Sequence, residues 1–182
     1  MFEEINKEFE LLITKTENLF NKINFNKCIE FELSQDVEVD LSKLDKMKGI
    51  YLFEIKNTKS LQFIKWIEGF EKKFKLEKNK YQQNWTPTIN KSRIKKYNDN
   101  NTQEWFPLYL GKSENMKKRI HQHLYSNIGK APSALKLIDR GTMIEEIFRI
   151  SYINLCGLEN YSIISPIIEK HLMSKVNPLV GR

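Results

Sequence analysis

Long apolar runs and cysteines are both scarce in this sequence, and each shortage argues against a class of protein. No run approaches the roughly 18 apolar residues that a membrane-spanning helix needs. The N-terminus, MFEEINKEFELL, is acidic and lacks the basic start and small-residue cleavage site of a signal peptide. The two cysteines, Cys28 and Cys156, do not have the spacing of a metal-binding pair. We therefore expect a cytoplasmic protein without membrane contact, whose cysteines are reduced and in the core.

Several catalytic motifs are missing as well. The three histidines, His121, His123 and His171, have neither the HExxH spacing nor another spacing typical of zinc ligands. No GxxxxGKS/T or GxGxxG loop occurs, and Ser113 has no GxSxG elbow around it. These absences leave a structural zinc site, a phosphate-binding glycine loop of either kind and a serine hydrolase without support.

Positive charge, in contrast, is abundant and unevenly spread. The net charge is +7 over 182 residues. Residues 1–55 carry 7 Lys and Arg against 12 Asp and Glu, residues 56–105 carry 12 against 5, and residues 106–182 carry 11 against 6. A one-sided positive field of this kind attracts polyanions, most often nucleic acid. Charge that serves solubility alone is the alternative that composition leaves open.

Hydrophobic periodicity predicts a chain of mixed helices and strands. Pro166 either kinks the last helix or restarts it behind Ser165. The aromatic stripe of the second helix is expected to pack in the core rather than stack on bases. The predicted helices cover residues 2–22, 59–80, 133–139 and 160–175, with another running from a cap at Ser113 or Asn115 to Leu124; the predicted strands cover 28–33, 47–55, 106–111 and 146–155; and residues 82–104 are predicted to be a loop with short structure.

These elements predict an α/β fold with a small central three-stranded sheet, antiparallel or mixed, flanked by helices. Residues 1–46 are expected to form an N-terminal extension with a helix and a short strand. Residues 47–182 are expected to form the main domain, interrupted by a basic insertion at about residues 56–105.

One set of residues suits phosphodiester cleavage. Tyr51 and Tyr109 lie on two predicted strands, Arg119 and His123 lie one turn apart on a cationic helix, and Glu169 lies on the last helix. A single carboxylate can hold one Mg²⁺, and a guanidinium can stabilise the charge that develops on phosphorus. A phenol or an imidazole can move a proton. The sequence therefore predicts a site in which these five side chains meet.

The same residues carry a resemblance to a known family. Gly49-Ile50-Tyr51 and Tyr109-Leu110-Gly111 resemble the two strand motifs of the GIY-YIG endonucleases, and KSENMKKRIHQHL resembles the helix that follows them. The motif YxGxSxNxxxR is complete, and Glu169 stands nine residues before Pro178. The resemblance covers residues 48–55 and 106–182.

The resemblance implies a metal-dependent endonuclease with defined roles for these residues. Glu169 would hold Mg²⁺ or Mn²⁺, Arg119 would stabilise the developing charge, and Tyr51 would activate water. Tyr109 would position the water or a phosphate oxygen, and His123 would accept a proton from Tyr51 or contact a phosphate. The ordinary pKa of a tyrosine, about 10, is too high for this role at neutral pH, so Arg119 and Lys112 are expected to favour the phenolate. Phosphate contacts are expected from Lys112, Ser113, Lys91, Arg93, Lys95 and Lys96.

Two departures from the family pattern stand out. Tyr51 and Tyr109 are 58 residues apart (109 − 51), much farther than the family's two tyrosine motifs usually lie. The resemblance implies that the extra residues form an insertion in a hairpin, which is tolerated because loop-closure entropy grows slowly with length. In addition, the family's terminal asparagine falls at Gly181, and Asn177 is the nearby candidate to replace it.

The layout resembles the restriction-type members of the family, which generally act as homodimers on double-stranded DNA. We expect no appended DNA-binding domain, and a core that carries its own insertion favours this subclass over the homing and repair layouts. Two other readings remain open at this point. One is a catalytically inactive or RNA-directed nucleic-acid-binding module on the same fold, and the other is an α/β protein with no nucleic-acid role.

Overall fold

A four-stranded antiparallel sheet lies at the centre of the molecule, in a computed structural model that describes residues 1–75 and 85–181. Its strands are β1 (Asn26–Glu32), β2 (Gly49–Lys56), β3 (Trp105–Ser113) and β4 (Ile147–Asn154). They lie in the order β1-β4-β2-β3, and each neighbouring pair is antiparallel. The predicted α/β class is therefore confirmed, and of the two sheet arrangements left open, antiparallel or mixed, the sheet is antiparallel.

The expected number of three strands is wrong, because β1 joins the same sheet. Phe31 of β1 stands opposite Phe148 of β4, and the two rings stack with their centroids 5.8 Å apart. Ile29 stands opposite Ile150 in the same ladder. Cross-strand apolar pairs of this kind stabilise an added strand. The division of the chain at residues 46 and 47 stays a prediction.

Helices flank the sheet on both faces. Side chains alternate between the two faces along each strand, so β2 is buried on both sides and reads as the nearly continuous apolar run GIYLFEI. Ile50 and Leu52 point to one face, where they pack with Ile168 and Leu172. The helices are α1 (Phe2–Phe20), α2 (Phe63–Phe74), α3 (Lys91–Ile94), α4 (Met116–Tyr125) and α5 (Tyr161–Val176).

The other face of the sheet packs against α4 and α2. Met116, Ile120 and Leu124, the predicted stripe of α4, are fully buried there. The aromatic stripe of α2 is buried too, with Trp66 and Phe106 ring centroids 4.3 Å apart. These rings are therefore core side chains. The predicted helix over 59–80 begins later, at Phe63, and its part beyond residue 75 lies outside the described residues.

The chain end joins the insertion to the sheet. Leu179 and Val180 donate backbone hydrogen bonds to Pro107 and Leu108 of β3, both at 2.9 Å. On the other side, the amide of Asn90 donates to the Leu179 carbonyl at 2.8 Å, and the amide of Gly181 donates to Thr88 at 2.9 Å. The segment after α5 is thus held between the edge strand and residues 88–90.

The structure corrects two local expectations, for residues 133–139 and for Cys156, and decides between the two alternatives for Pro166. The helix predicted at 133–139 is absent, because the amides of Leu135 and Leu137 bond to the ring and the carbonyl of His123 instead of to one another. Pro166 lies inside a single helix, α5. Cys156 is exposed and not in the core, whereas the side chain of Cys28 lies outside the described residues. No described helix combines the length and hydropathy needed to cross a membrane.

Gly49 should be irreplaceable for stability. A Cβ at this position would overlap the carbonyl oxygen of Ile153 on the neighbouring strand. We expect Gly49→Ala to lower the free energy of unfolding by about 3 kcal/mol, because backbone cannot move aside cheaply. Gly69→Ala is the control: its Cβ meets nothing within 4 Å on α2, and alanine should raise helix stability by up to about 1 kcal/mol. Urea denaturation measures both, and equal values for the two variants would contradict the strand contact.

Candidate functional site

The pairing of β2 with β3 brings the two predicted tyrosines together. Tyr51 stands opposite Gly111, and Phe53 stands opposite Tyr109, so that both phenols lie on the same face of the sheet. Their ring centroids are 6.3 Å apart and the ring planes differ by 26°. Two residues that are far apart in sequence thus form one diagonal pair across adjacent strands.

Gly111 provides the space that this pair occupies. A Cβ at position 111 would lie 2.5 Å from the Tyr51 hydroxyl oxygen and 2.9 Å from Cε1 of Tyr109. Such distances are far below van der Waals contact, so any side chain would displace one or both rings. The glycine is therefore required by the two phenols and not by the backbone of the strand.

The start of α4 sets the position of Arg119 and His123. The Asn115 side chain caps the helix by accepting the Lys118 amide at 3.0 Å. Ser113, predicted to contact phosphate, uses its hydroxyl within this turn: it donates to the Asn115 carbonyl at 2.9 Å and accepts the Asn115 amide at 3.0 Å. The turn is therefore rigid, and it fixes where the first helical residues point.

His123 lies inside the protein and not on the open face of α4. Its side chain is 0% exposed and is enclosed by Tyr51, Phe53 and Tyr109, with ring centroids 4.8–5.4 Å away. Nε2 is 3.0 Å from the Tyr51 hydroxyl, and Nδ1 accepts the Leu135 amide at 3.0 Å. Burial, assisted by the charge of Arg119, holds the pKa of His123 well below its ordinary value. The imidazole is therefore neutral.

Tyr51 is also buried, with 1% of its surface exposed. Burial raises its pKa, and neighbouring Tyr109 and Glu169 add to the effect. Arg119 opposes the rise through its charge and a hydrogen bond. The expected help from Arg119 is present, but burial outweighs it, so the phenol is protonated at neutral pH.

Arg119 bridges the two phenols and a neighbouring loop. Burial alone would lower its pKa, but the nearby phenols of Tyr51 and Tyr109 raise it, so the guanidinium stays charged. It donates to the Ser133 carbonyl at 2.6 Å and to Oε1 of Gln122 at 3.2 Å. A fixed cation at this point offers its remaining N–H groups to an anion.

A cleft of about 850 Å³ unites three predicted catalytic residues: Tyr109, Arg119 and Glu169. Tyr51 and His123 are not part of its lining and lie behind Tyr109. Sequence reasoning missed Lys170, whose only signal was its place next to Glu169, and Ser133, which acts through a backbone carbonyl. The lining also includes Arg93, Lys96, Thr86, Thr88, Asn177 and Gly181.

Glu169 is the carboxylate of this cleft. It is half-buried on α5, and burial raises its pKa while the charge of Lys112 counteracts the rise. Among the described residues, no three His, Cys, Asp or Glu side chains form a group that could hold a metal ion unaided. A lone carboxylate fits Mg²⁺ that shares its remaining coordination with water and substrate phosphates.

The predicted basic residues of the insertion separate into two groups. Arg93 and Lys96 line the cleft, and Arg93 also donates to the Pro178 carbonyl at 3.2 Å. Lys91 forms an ion pair with Glu71 and does not line the cleft. The structure likewise leaves Lys95, which is exposed, and Lys112 and Ser113 outside the lining.

Asn177 and Gly181 also line the cleft. Asn177 ends α5 in the left-handed conformation. Its side-chain amide donates to the Arg93 carbonyl at 3.0 Å, and its backbone carbonyl accepts a hydrogen bond from the Tyr97 hydroxyl at 2.8 Å. Gly181 has a φ of +98°, and a Cβ there would lie 3.4 Å from the Tyr109 ring. Asn177 therefore ties the insertion to the chain end.

Comparison with family models, curated proteins and solved structures finds no match to this chain. The function is therefore inferred from the chemistry of the site itself.

Gly111→Ala should disturb the tyrosine pair while leaving the fold intact. The new methyl group must displace the Tyr51 ring and disturb its contact with His123, because the backbone at Gly111 is held in the ladder with β2. In a protein with ¹³C-labelled tyrosine rings, we expect large NMR shift changes for Tyr51 and Tyr109 with an unchanged far-UV spectrum. Gly157→Ala, whose Cβ meets nothing within 4 Å, is the control. Unchanged tyrosine shifts in Gly111→Ala would contradict this packing.

Proposed function

We propose that the protein is a metal-dependent endonuclease of the GIY-YIG type, which hydrolyses phosphodiester bonds in DNA with Mg²⁺ or Mn²⁺. One observation carries the proposal: Tyr109, Arg119 and Glu169, from three separate elements, line one cleft, and Tyr51 packs directly behind Tyr109. The proposal is supported because these motif residues meet at one cleft even though a long insertion separates the two tyrosines.

Each side chain has a task in this proposal. Arg119 stays charged and stabilises negative charge that develops on the phosphoryl oxygens. Tyr109 borders the cleft and orients the attacking water or a phosphate oxygen. Tyr51 takes the proton of that water. This role requires the water to reach a phenol that lies behind Tyr109, and it requires nearby positive charge to stabilise the phenolate, because burial raises the pKa of Tyr51. Glu169 would hold the cation, which when bound supplies Lewis-acid stabilisation of the phosphate.

The insertion supports nucleic acid as the substrate. Arg93 and Lys96 bring positive charge from the insertion to the same cleft, and Lys170 adds a charge from α5. A strand that passes through the cleft would therefore meet cations from both the insertion and α5. We include restriction-type action on double-stranded DNA in the proposal; dimer formation rests on the family resemblance alone.

A nucleic-acid-binding module without cleavage, directed to DNA or RNA, is the second candidate. Two observations favour it: glycine stands at position 181, where the resemblance expects asparagine, and burial raises the pKa of Tyr51, the residue proposed as base. Under this reading the cations of the cleft would bind the phosphate backbone and the buried phenols would serve packing.

Glu169→Gln should abolish Mg²⁺-dependent nicking of supercoiled plasmid while preserving DNA binding. The amide removes the anionic ligand but keeps the size of the side chain, so we expect cleavage to fall about 100-fold or more, equivalent to several kcal/mol. Glu159→Gln is a matched control, because this exposed glutamate precedes α5 and does not line the cleft.

Three outcomes of the plasmid assay separate the candidates. Cleavage by wild type and Glu159→Gln but not by Glu169→Gln supports the nuclease. Equal cleavage by all three proteins would remove Glu169 from the mechanism. Binding without cleavage of any DNA or RNA, in the presence of either metal, would favour the binding module.

Lys96→Gln should weaken binding to DNA and reduce its dependence on salt. If Lys96 neutralises one phosphate of a duplex, the slope of log K against log salt concentration should become shallower by about 0.9. Lys15→Gln changes the charge equally but lies exposed on α1, away from the cleft. Filter binding across a salt series measures both slopes, and identical slopes for the two variants would exclude a phosphate contact from Lys96.

A further inference from the structure

Both ring nitrogens of His123 have defined partners, and together these partners determine where the proton lies. Nδ1 is 3.0 Å from the backbone nitrogen of Leu135. A backbone N–H can only donate, so Nδ1 must present its lone pair. A neutral imidazole then carries its proton on Nε2, which is 3.0 Å from the Tyr51 hydroxyl.

We propose that the Leu135 amide locks His123 in the Nε2–H tautomer, which makes His123 a constant hydrogen-bond donor that positions Tyr51. His123 therefore does not accept the proton of Tyr51, which was one of the two roles that the family resemblance suggested for it. The catalytic meaning of this inference rests on the proposed nuclease function, whereas the tautomer itself does not.

The loop that carries the Leu135 amide is held by several bonds. Arg119 donates to the Ser133 carbonyl at 2.6 Å, and Nε of Arg140 donates to the Leu135 carbonyl at 2.8 Å. The Leu137 amide donates to the His123 carbonyl at 2.9 Å. Hydrogen bonds on both sides of the Leu135 amide fix its direction, so its contact with Nδ1 is built into the fold.

Arg140 is anchored in turn against the core. Its guanidinium is buried, donates to the Phe74 carbonyl at 2.6 Å and stacks 4.0 Å from the Phe74 ring centroid. The loop is thus attached to α2 at one end and to the Arg119 side chain at the other. A change of the His123 tautomer would leave the Leu135 amide facing another N–H, with both groups buried and unpaired.

The surroundings of the ring also oppose a second proton. The titratable groups that face it are Tyr51 from β2, Tyr109 from β3 and Arg119 from its own helix. None of these groups is a carboxylate, and burial raises the pKa of Tyr51, so this set of groups does not favour an imidazolium. A protonated Nδ1 would in addition point its hydrogen at the Leu135 N–H. The geometry therefore keeps the ring neutral as well as fixing its tautomer.

The donor role changes the route that a proton can take from Tyr51. The hydroxyl oxygen accepts from His123, so the hydrogen of the phenol must point elsewhere. In the proposed reaction a Tyr51 phenolate takes a proton from water, the water oxygen bonds to phosphorus, and the bond from phosphorus to the leaving 3′-oxygen breaks. That oxygen takes a proton from solvent, and the Tyr51 phenol releases its own to the water that reaches it from the cleft. His123 gains and loses nothing.

Nitrogen NMR of the wild-type protein tests the tautomer directly. With ¹⁵N-labelled histidine, we expect the His123 signals of an unprotonated Nδ1 and a protonated Nε2, unchanged between about pH 5 and 8, the range in which histidines ordinarily change charge. The exposed His121 in the same spectrum provides an internal comparison. A protonated Nδ1, in a neutral or a charged ring, would overturn the inference whether or not the protein cleaves DNA.

Two substitutions separate positioning from proton transfer. His123→Gln can offer an amide N–H near the place of Nε2, whereas the shorter His123→Asn cannot reach Tyr51. We expect Gln to retain cleavage within about tenfold of wild type and Asn to lose it about 100-fold, with thermal melting as the check of folding. Equal losses of about 100-fold in two folded variants would indicate a base and contradict the donor role.

The NMR and cleavage results can fail independently. If wild type cleaves nothing, the nuclease proposal fails, and the spectrum still decides the tautomer. If the spectrum shows a protonated Nδ1 while wild type cleaves, the nuclease stands and the donor role fails.

Discussion

The antiparallel pairing of β2 with β3 is the interaction on which the candidate site depends. Its register places Tyr51 opposite Gly111, so that the phenol lies over the one residue that leaves room for it. A shift of one residue would turn Tyr51 to the opposite face, towards α5, and away from His123. The backbone ladder therefore determines the site before any side-chain chemistry enters, and the close approach at Gly49 to β4 holds the same strand from the other side.

The insertion between these strands forms part of the site. Closing a long loop costs conformational entropy that grows only slowly with length, and buried aromatic rings on α2 offset it. The chain end completes the arrangement by bonding to β3 and to residues 88–90 at once. As a result, Arg93 and Lys96 reach a cleft whose chemistry comes from distant parts of the chain. Residues of the insertion therefore line the candidate site together with residues of β3, α4 and α5.

Burial determines the electrostatic character of the buried groups. It raises the pKa of Tyr51 and of Glu169 and lowers that of His123, which in each case disfavours the charged form. Arg119 is the exception: the two phenols raise its pKa against the effect of burial, so it keeps its charge. The site therefore holds a neutral imidazole and a protonated phenol around a fixed guanidinium, an arrangement suited to receiving an anion.

The sequence pattern by itself determined most of the helices and strands, because apolar periodicity and the Asn115 cap act over short distances. Six elements begin and end within a few residues of their predicted limits: β2, β3, β4, α1, α4 and α5. The order and spacing of the motif residues also predicted Tyr109, Arg119 and Glu169, which line the cleft. Tertiary structure alone decided that β1 joins the sheet, that residues 133–139 form no helix, that His123 is buried, and which cations reach the cleft. The physical reason is that these features depend on partners far away in sequence. The Leu135 amide that orients His123 is a backbone group present in nearly every residue, so only the folded chain can show which one it bonds.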